Sequence, residues 1–161
     1  MTPIPNQLFT DGGARPTNPG HAGCAAWLIL PSGQQKSVSR YLGWHSNNYA
    51  EYVGLVLGIK LAIEQGLDYS THLDIFVDSQ IVWGHMTQGW RQNIPTLKPL
   101  IRDAQKLLHK HFEDDETGER RWTLTHVRRE KNKYADDLCT RVILAYMEAN
   151  PSPFSVKAGV R

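Results

Sequence analysis

Cysteine is scarce in this chain: Cys24 and Cys139 are the only two among 161 residues. Two cysteines build no disulfide framework, and their wide separation matches no zinc-ligand spacing. Both fall in apolar stretches and read as small core residues, with their pairing left open. Long apolar runs are lacking as well, and none approaches the roughly 20 residues that cross a bilayer. The opening Met1-Thr2-Pro3-Ile4-Pro5 has neither the basic nor the apolar region of a signal peptide. The expectation is a cytoplasmic protein without membrane contact. No internal repeat or break in composition is present. One domain over 1–150 is therefore expected, followed by a tail over 151–161.

Net charge is slight, +2, too little to mark a nucleic-acid binder by itself. Its distribution says more. Arg120, Arg121, Arg128, Arg129, Lys131 and Lys133 stand against Glu130 alone, just after the acids Glu113, Asp114, Asp115, Glu116 and Glu119. Such runs are ordinarily solvated surface. Here the basic run leads into Asp136, which favours a phosphate-contacting loop.

A strand is read over residues 7 to 11, ending at Asp11, and a Gly/Pro-rich turn from Gly12 to Gly20. His21–Leu30 and Gln35–Trp44 read as two more strands of an antiparallel meander. Asn47 or Asn48 is the expected N-cap of a helix reaching about Gln65, with Gly66 as its stop. That helix is apolar nearly all round, which predicts burial. Gly54 and Gly58 fall on one side of it, where a neighbouring backbone can come close. Leu73–Val77 is a compact strand leading into Asp78. Helices follow over about Ser79–Gln88 and Leu97–Phe112, then a strand over Arg121–Val127 and a last helix over Tyr134–Ala149. Two strands thus lead into aspartates. If they lie parallel and adjacent, both carboxylates emerge at one sheet edge, where open α/β sheets bind ligands.

Four acids stand in short motifs of their own. They are Asp11 in Phe9-Thr10-Asp11-Gly12-Gly13, Glu51 in Asn47-Asn48-Tyr49-Ala50-Glu51, Asp78 in Val77-Asp78-Ser79-Gln80, and Asp136 in Asn132-Lys133-Tyr134-Ala135-Asp136. Each alone is weak. Glu51, for instance, is expected in the first turn of its helix, where the helix dipole alone explains an acid. On the last helix Ala135, Leu138, Cys139, Val142 and Tyr146 define the apolar face. Asp136 flanks that face and Asp137 points away from it, so Asp136 is the candidate ligand. Together the four suit hard divalent ions, which take oxygen ligands.

With these motifs in place, the chain resembles the ribonuclease H type 1 family along about residues 6 to 145. Thr10-Asp11-Gly12-Gly13 with Asn18-Pro19-Gly20 looks like its opening segment. Ser46-Asn47-Asn48 with Glu51, then Val77-Asp78-Ser79-Gln80, resemble its second and third motifs. His126-Val127-Arg128-Arg129-Glu130 through Asp136 resembles the loop and helix that carry the last carboxylate. The resemblance implies an α/β fold, a five-stranded mixed sheet with three antiparallel strands, parallel additions and flanking helices. It implies endonucleolytic cleavage of the RNA strand of an RNA–DNA hybrid, with two Mg2+ or Mn2+ ions. Asp11, Glu51, Asp78 and Asp136 match the metal-binding acids, and His126 matches the catalytic histidine. Asn18, Asn48 and Gln80, with the backbone at Gly12 and Gly13, match positions that contact the hybrid.

Two departures stand out. The turn from Gly12 to Gly20 is one residue longer than in many members. Where some members carry a lysine-rich helix, Gly89-Trp90-Arg91-Gln92-Asn93-Ile94-Pro95 has one charge, and its Trp90 is expected to pack. The alternative function is a non-catalytic module that binds hybrid or duplex RNA on the same fold. A monomer is expected, since the sequence shows no evidently exposed apolar element.

Overall fold

The computed structural model describes residues 4–151 of the chain. Beyond Pro151, the expected tail lies outside the described residues. Five strands form one sheet in the order β3-β2-β1-β4-β5. They are β1 (Asn6–Arg15), β2 (Gly20–Ile29), β3 (Gln35–His45), β4 (Leu73–Val77) and β5 (Trp122–His126). The meander β1–β2–β3 is antiparallel, and β4 and β5 add parallel to β1 and to each other. The helices are α1 (Asn47–Glu64), α2 (Gln80–Thr87), α3 (Lys98–Phe112) and α4 (Lys133–Ala149), and a 3-10 turn, Arg129–Asn132, leads into α4. Among the described residues no helix is long and apolar enough to cross a membrane.

The sheet is covered on both faces. One face carries Leu8, Ala26, Leu28 and Ile75, which pack on Tyr52, Leu55 and Ile59 of α1, with Ile101, Leu108 and Phe112 of α3 in the same cluster. The other face carries Ala25, against Cys139 and Ile143 of α4. A central strand buried on both faces must be apolar throughout, and β2 is close to that. Cys24 lies on the α1 face, where a Cβ on Gly54 would come within 3.3 Å of its Cβ. Cys139 lies on α4, its Sγ donating to the Gly23 carbonyl at 3.1 Å. The sheet separates the two thiols and both are free, so the open question of their pairing is settled by topology.

Three expectations need correction. β1 does not end at Asp11. Gly12 to Arg15 continue the ladder opposite Cys24 to His21, and the turn is confined to residues 16–19. Cross-strand pairing overrides the weak strand preference of a Gly-Gly-Ala run. The N-cap of α1 is Ser46, whose side chain accepts from the Tyr49 amide at 3.1 Å. Asn47 is not free to cap, because its Oδ1 accepts from the Ala14 amide at 2.7 Å. Finally, His126 is not part of the loop that its motif suggests: it is the last residue of β5, inside the expected strand, paired with Val77.

α1 lies unusually close to β1. A Cβ on Gly12 would fall on the Ala50 backbone, and one on Gly54 would stand 2.5 Å from the Asp11 carbonyl oxygen. Glycine therefore sets the helix–strand distance here. Gly54→Ala should destabilise the protein by about 1–3 kcal/mol through overpacking, despite alanine's better helix propensity. Chemical denaturation checks this; an unchanged or raised midpoint would show that α1 has room to spare.

Candidate active site

The parallel ladder between β1 and β4 runs from Asn6↔Leu73 to Phe9↔Phe76, where the two rings stack at 4.8 Å. Asp11 and Asp78 each stand two residues beyond that last pair. β4 stops at Val77, while β1 runs on with β2 alone. The sheet therefore opens beside Asp11, and Asp78 stands at the mouth of the opening. Glu51 enters from α1, held there by the Gly12 and Gly54 contacts. Ligand oxygens of Asp11, Glu51 and Asp78 all lie within 4.8 Å of one another.

Glu51 is the fifth residue of α1, and the first turn carries no acid. Its helix-dipole explanation therefore falls away. It is only 9% exposed, and Asp11 only 4%. Glu51 Oε2 and Asp78 Oδ2 are buried without a hydrogen-bond partner. Buried carboxylate oxygens ordinarily find partners. Three clustered hard-oxygen donors, two of them unpartnered, fit a hard divalent cation.

Asp136, in the first turn of α4, lines the same cleft, with Gly12, Gly13, Asn48 and Arg129 among its other walls. The cleft holds about 380 Å³. His126 sits exposed at its rim, with Nε2 3.2 Å from the Asp78 carbonyl oxygen. Asn18 Oδ1 accepts from the Asn47 amide at 2.9 Å, so its carbonyl side is taken up in anchoring α1 to the β1–β2 turn. Gln80 is exposed at the start of α2. Trp90 lies over Gly84, edge-on to Trp83, but is 42% exposed, so the expected packing is only partial.

One residue that sequence reasoning passed over belongs to the site. Asn132 is 1% exposed, and its Nδ2 donates to the Thr10 carbonyl at 2.9 Å. It thereby ties the start of α4 to the residue before Asp11, and its side chain also favours the charged form of Asp78. The signal was present, since Asn132 opens the motif that carries Asp136. An asparagine beside a basic run simply reads as surface.

The electrostatics follow from burial. Desolvation, with the Asp78 charge behind it, raises Asp11 to about 8. Burial, then the charges of Asp11 and Asp78, raises Glu51 well above the usual carboxylate range. Burial also raises Asp78, against the opposing effects of Asn132 and Arg129. A raised carboxyl means that the folded state holds more protons than the unfolded one. Stability from Asp11 is then fully present below its ordinary value of 3.8 and is lost as pH rises toward about 8. Metal-free protein should lose stability across that interval, and added Mg2+ should restore more of it at pH 8 than at pH 5. Thermal unfolding with and without chelator reads this directly. Equal effects of Mg2+ at both pH values would contradict the burial of these charges.

The family model for reverse transcriptase-like proteins matches residues 9–142. Ribonuclease HI of Halobacterium salinarum is 33% identical over 138 residues, covering 84% of this chain and 62% of the relative. A bifunctional protein of Mycobacterium tuberculosis is 34% identical over 133 residues, 81% of this chain but 33% of its own length. The chain thus spans less than two thirds of the curated relatives it matches. The crystal structure of the halobacterial ribonuclease H1 superposes with a TM-score of 0.73 at 30% identity, covering 87% of this chain and 98% of that one. A compost-derived ribonuclease H1, solved with an RNA/DNA hybrid, superposes with a TM-score of 0.75 at 25% identity, covering 88% and 99%. Matching the family from β1 into α4, and sharing the fold of these enzymes, the chain belongs to the ribonuclease H type 1 family.

Proposed function

We propose that this chain hydrolyses phosphodiester bonds in the RNA strand of RNA–DNA hybrids, with Asp11, Glu51, Asp78 and Asp136 holding two Mg2+ or Mn2+ ions. The observation that carries the reading is the carboxylate cluster, three acids within 4.8 Å with two buried oxygens that no protein donor satisfies. The relative solved with an RNA/DNA hybrid supports the substrate class. Bound divalent ions supply an activated water and neutralise charge that develops at the phosphate.

The chain's own groups do the rest. Glu51 and Asp11 sit at the floor of the cleft, where exclusion of water strengthens every charge interaction. Asp78 and Asp136 line the same cleft, so a phosphate that enters it meets both carboxylates. His126, at the rim beside Asp78, is placed to exchange a proton at water attack or product release. The Gly12 and Gly13 backbone and the Asn48 side chain line the cleft and suit contacts to 2′-hydroxyls, which only the RNA strand offers. Gln80 extends that contact line from α2, and the amide nitrogen of Asn18 does so from the β1–β2 turn. These groups read sugar and shape, so sequence preference is weak. The proposed working unit is a monomer.

A protein that bound hybrid without cutting it would have no use for an unpartnered, desolvated Glu51. The test is an end-labelled hybrid run beside single-stranded RNA, duplex RNA and duplex DNA. Cutting should be confined to the RNA of the hybrid and should stop with chelator. Asp78→Asn should lower the rate by more than about a hundredfold, beyond the usual effect of disturbing a ligand's supporting residue, and leave hybrid binding intact. Folded wild-type protein that binds hybrid but never cuts it, with either metal, would overturn the proposal in favour of a binding module.

A further inference from the structure

A row of side chains leaves the cleft and crosses the sheet. Arg15, a cleft wall, pairs with His21 on β2, and His21 pairs with Trp44 on β3. Directly opposed residues on neighbouring strands share a face. The row therefore runs two strand spacings, about 10 Å, from the cleft to the outer strand. Two tyrosines flank it. Tyr41 hydroxyl meets His21 Nδ1 at 2.8 Å, and its ring stacks on Tyr146 at 3.6 Å with planes 8° apart. The Trp44 ring meets the His21 ring edge-on, with centroids 5.4 Å apart. Tyr146 is on α4, one turn beyond the cleft-lining Ile143. The patch thus continues the cleft along both the sheet and the helix.

These rings contact one another but are not buried. Trp44 is 59% exposed and Tyr146 38%. A tryptophan so exposed contributes little to the core, and an exposed aromatic cluster next to a cleft marks a contact surface. Its neighbours hold the rings in fixed orientations, which lowers the entropic cost of stacking something on them.

We propose that Trp44, His21 and the Tyr41–Tyr146 pair form a stacking platform for unpaired RNA that continues the hybrid's RNA strand out of the cleft. The proposal rests on the hybrid reading above. Every base has a π-face, so aromatic platforms bind single strands with little regard to sequence. Arg15 lies between the carboxylates and the rings, where a cation can hold a phosphate as the strand passes. A cation followed by rings suits a strand that leaves the site better than it suits a protein partner's apolar face.

The experiment compares dissociation constants, with chelator to prevent cutting, for blunt hybrid and for hybrid carrying about four unpaired RNA nucleotides at the 5′ or the 3′ end, near the smallest single-strand site size. Wild type should bind one of the extended hybrids roughly tenfold more tightly than the blunt one. Trp44→Ala should bring that ratio close to one, and Trp44→Phe, which keeps a ring, should restore most of it. Tyr146→Ala should lower it as well, independently of Trp44. Equal binding of blunt and extended hybrids by wild type, or a ratio indifferent to Trp44→Ala, would overturn the platform while leaving the hybrid reading standing. Self-association in sedimentation that Trp44→Ala abolishes would also overturn it and assign the face to a second copy of this chain. Failure of wild type to bind any hybrid would instead remove the reading on which the platform rests.

Discussion

The close approach of α1 to β1 is the constraint on which the site depends. Glu51 reaches Asp11 only because Gly12 leaves room for the Ala50 backbone and Gly54 leaves room for the Asp11 carbonyl. A methyl group at either position pushes the helix outward and carries Glu51 with it. The other elements accept that spacing. Ser46 caps the helix, Asn47 fastens its first turn to Ala14, and Asn18 fastens the same turn to the β1–β2 connection. On the other side of the sheet Asn132 does the same work for α4, binding the backbone one residue before Asp11. Asp11 is thus held between two helices that approach from opposite faces.

That arrangement carries an electrostatic cost. Like charges in a desolvated corner raise one another's pKa values, and folding must accommodate either the charges or the protons. The apo fold therefore opposes its own site near neutral pH, and a bound cation would remove the opposition. The remainder of the molecule supplies the surplus stability, chiefly the apolar cluster between the sheet and the α1–α3 layer. Separation of the two roles is visible in the faces. The α1 face is the deeper core, while the α4 face is thinner and opens into the cleft.

Much of this was legible in the sequence. Helical periodicity placed α3 and α4, and an apolar run between Asn47 and Gly66 placed α1, each to within a few residues, and the compact run Leu73–Val77 was found with its true bounds. Asp11 and Asp78 could be placed at one sheet edge because both follow strand-like runs, and the wheel of α4 put Asp136 rather than Asp137 toward the cleft. What was not legible depends on long-range pairing. Gly12 to Arg15 look like a turn until β2 pairs with them. Asn47 looks like a cap until Ala14 claims its oxygen. His126 falls both in an expected strand and in a loop-like motif, and only its pairing with Val77 decides for the strand. The aromatic row from Arg15 to Trp44 is spread over three strands, and only the register of β2 with both neighbours assembles it.

The central claim is that the carboxylates form a desolvated, proton-holding cluster that cations discharge. Calorimetric titration of the protein with Mn2+ near pH 7, in buffers of differing ionisation enthalpy, counts the protons released on binding. The account predicts release of about one proton or more, since metal must displace what burial retains, and predicts that Asp11→Asn diminishes it. Binding with no proton release would mean that the acids are already ionised and solvated, and would contradict the account at its base.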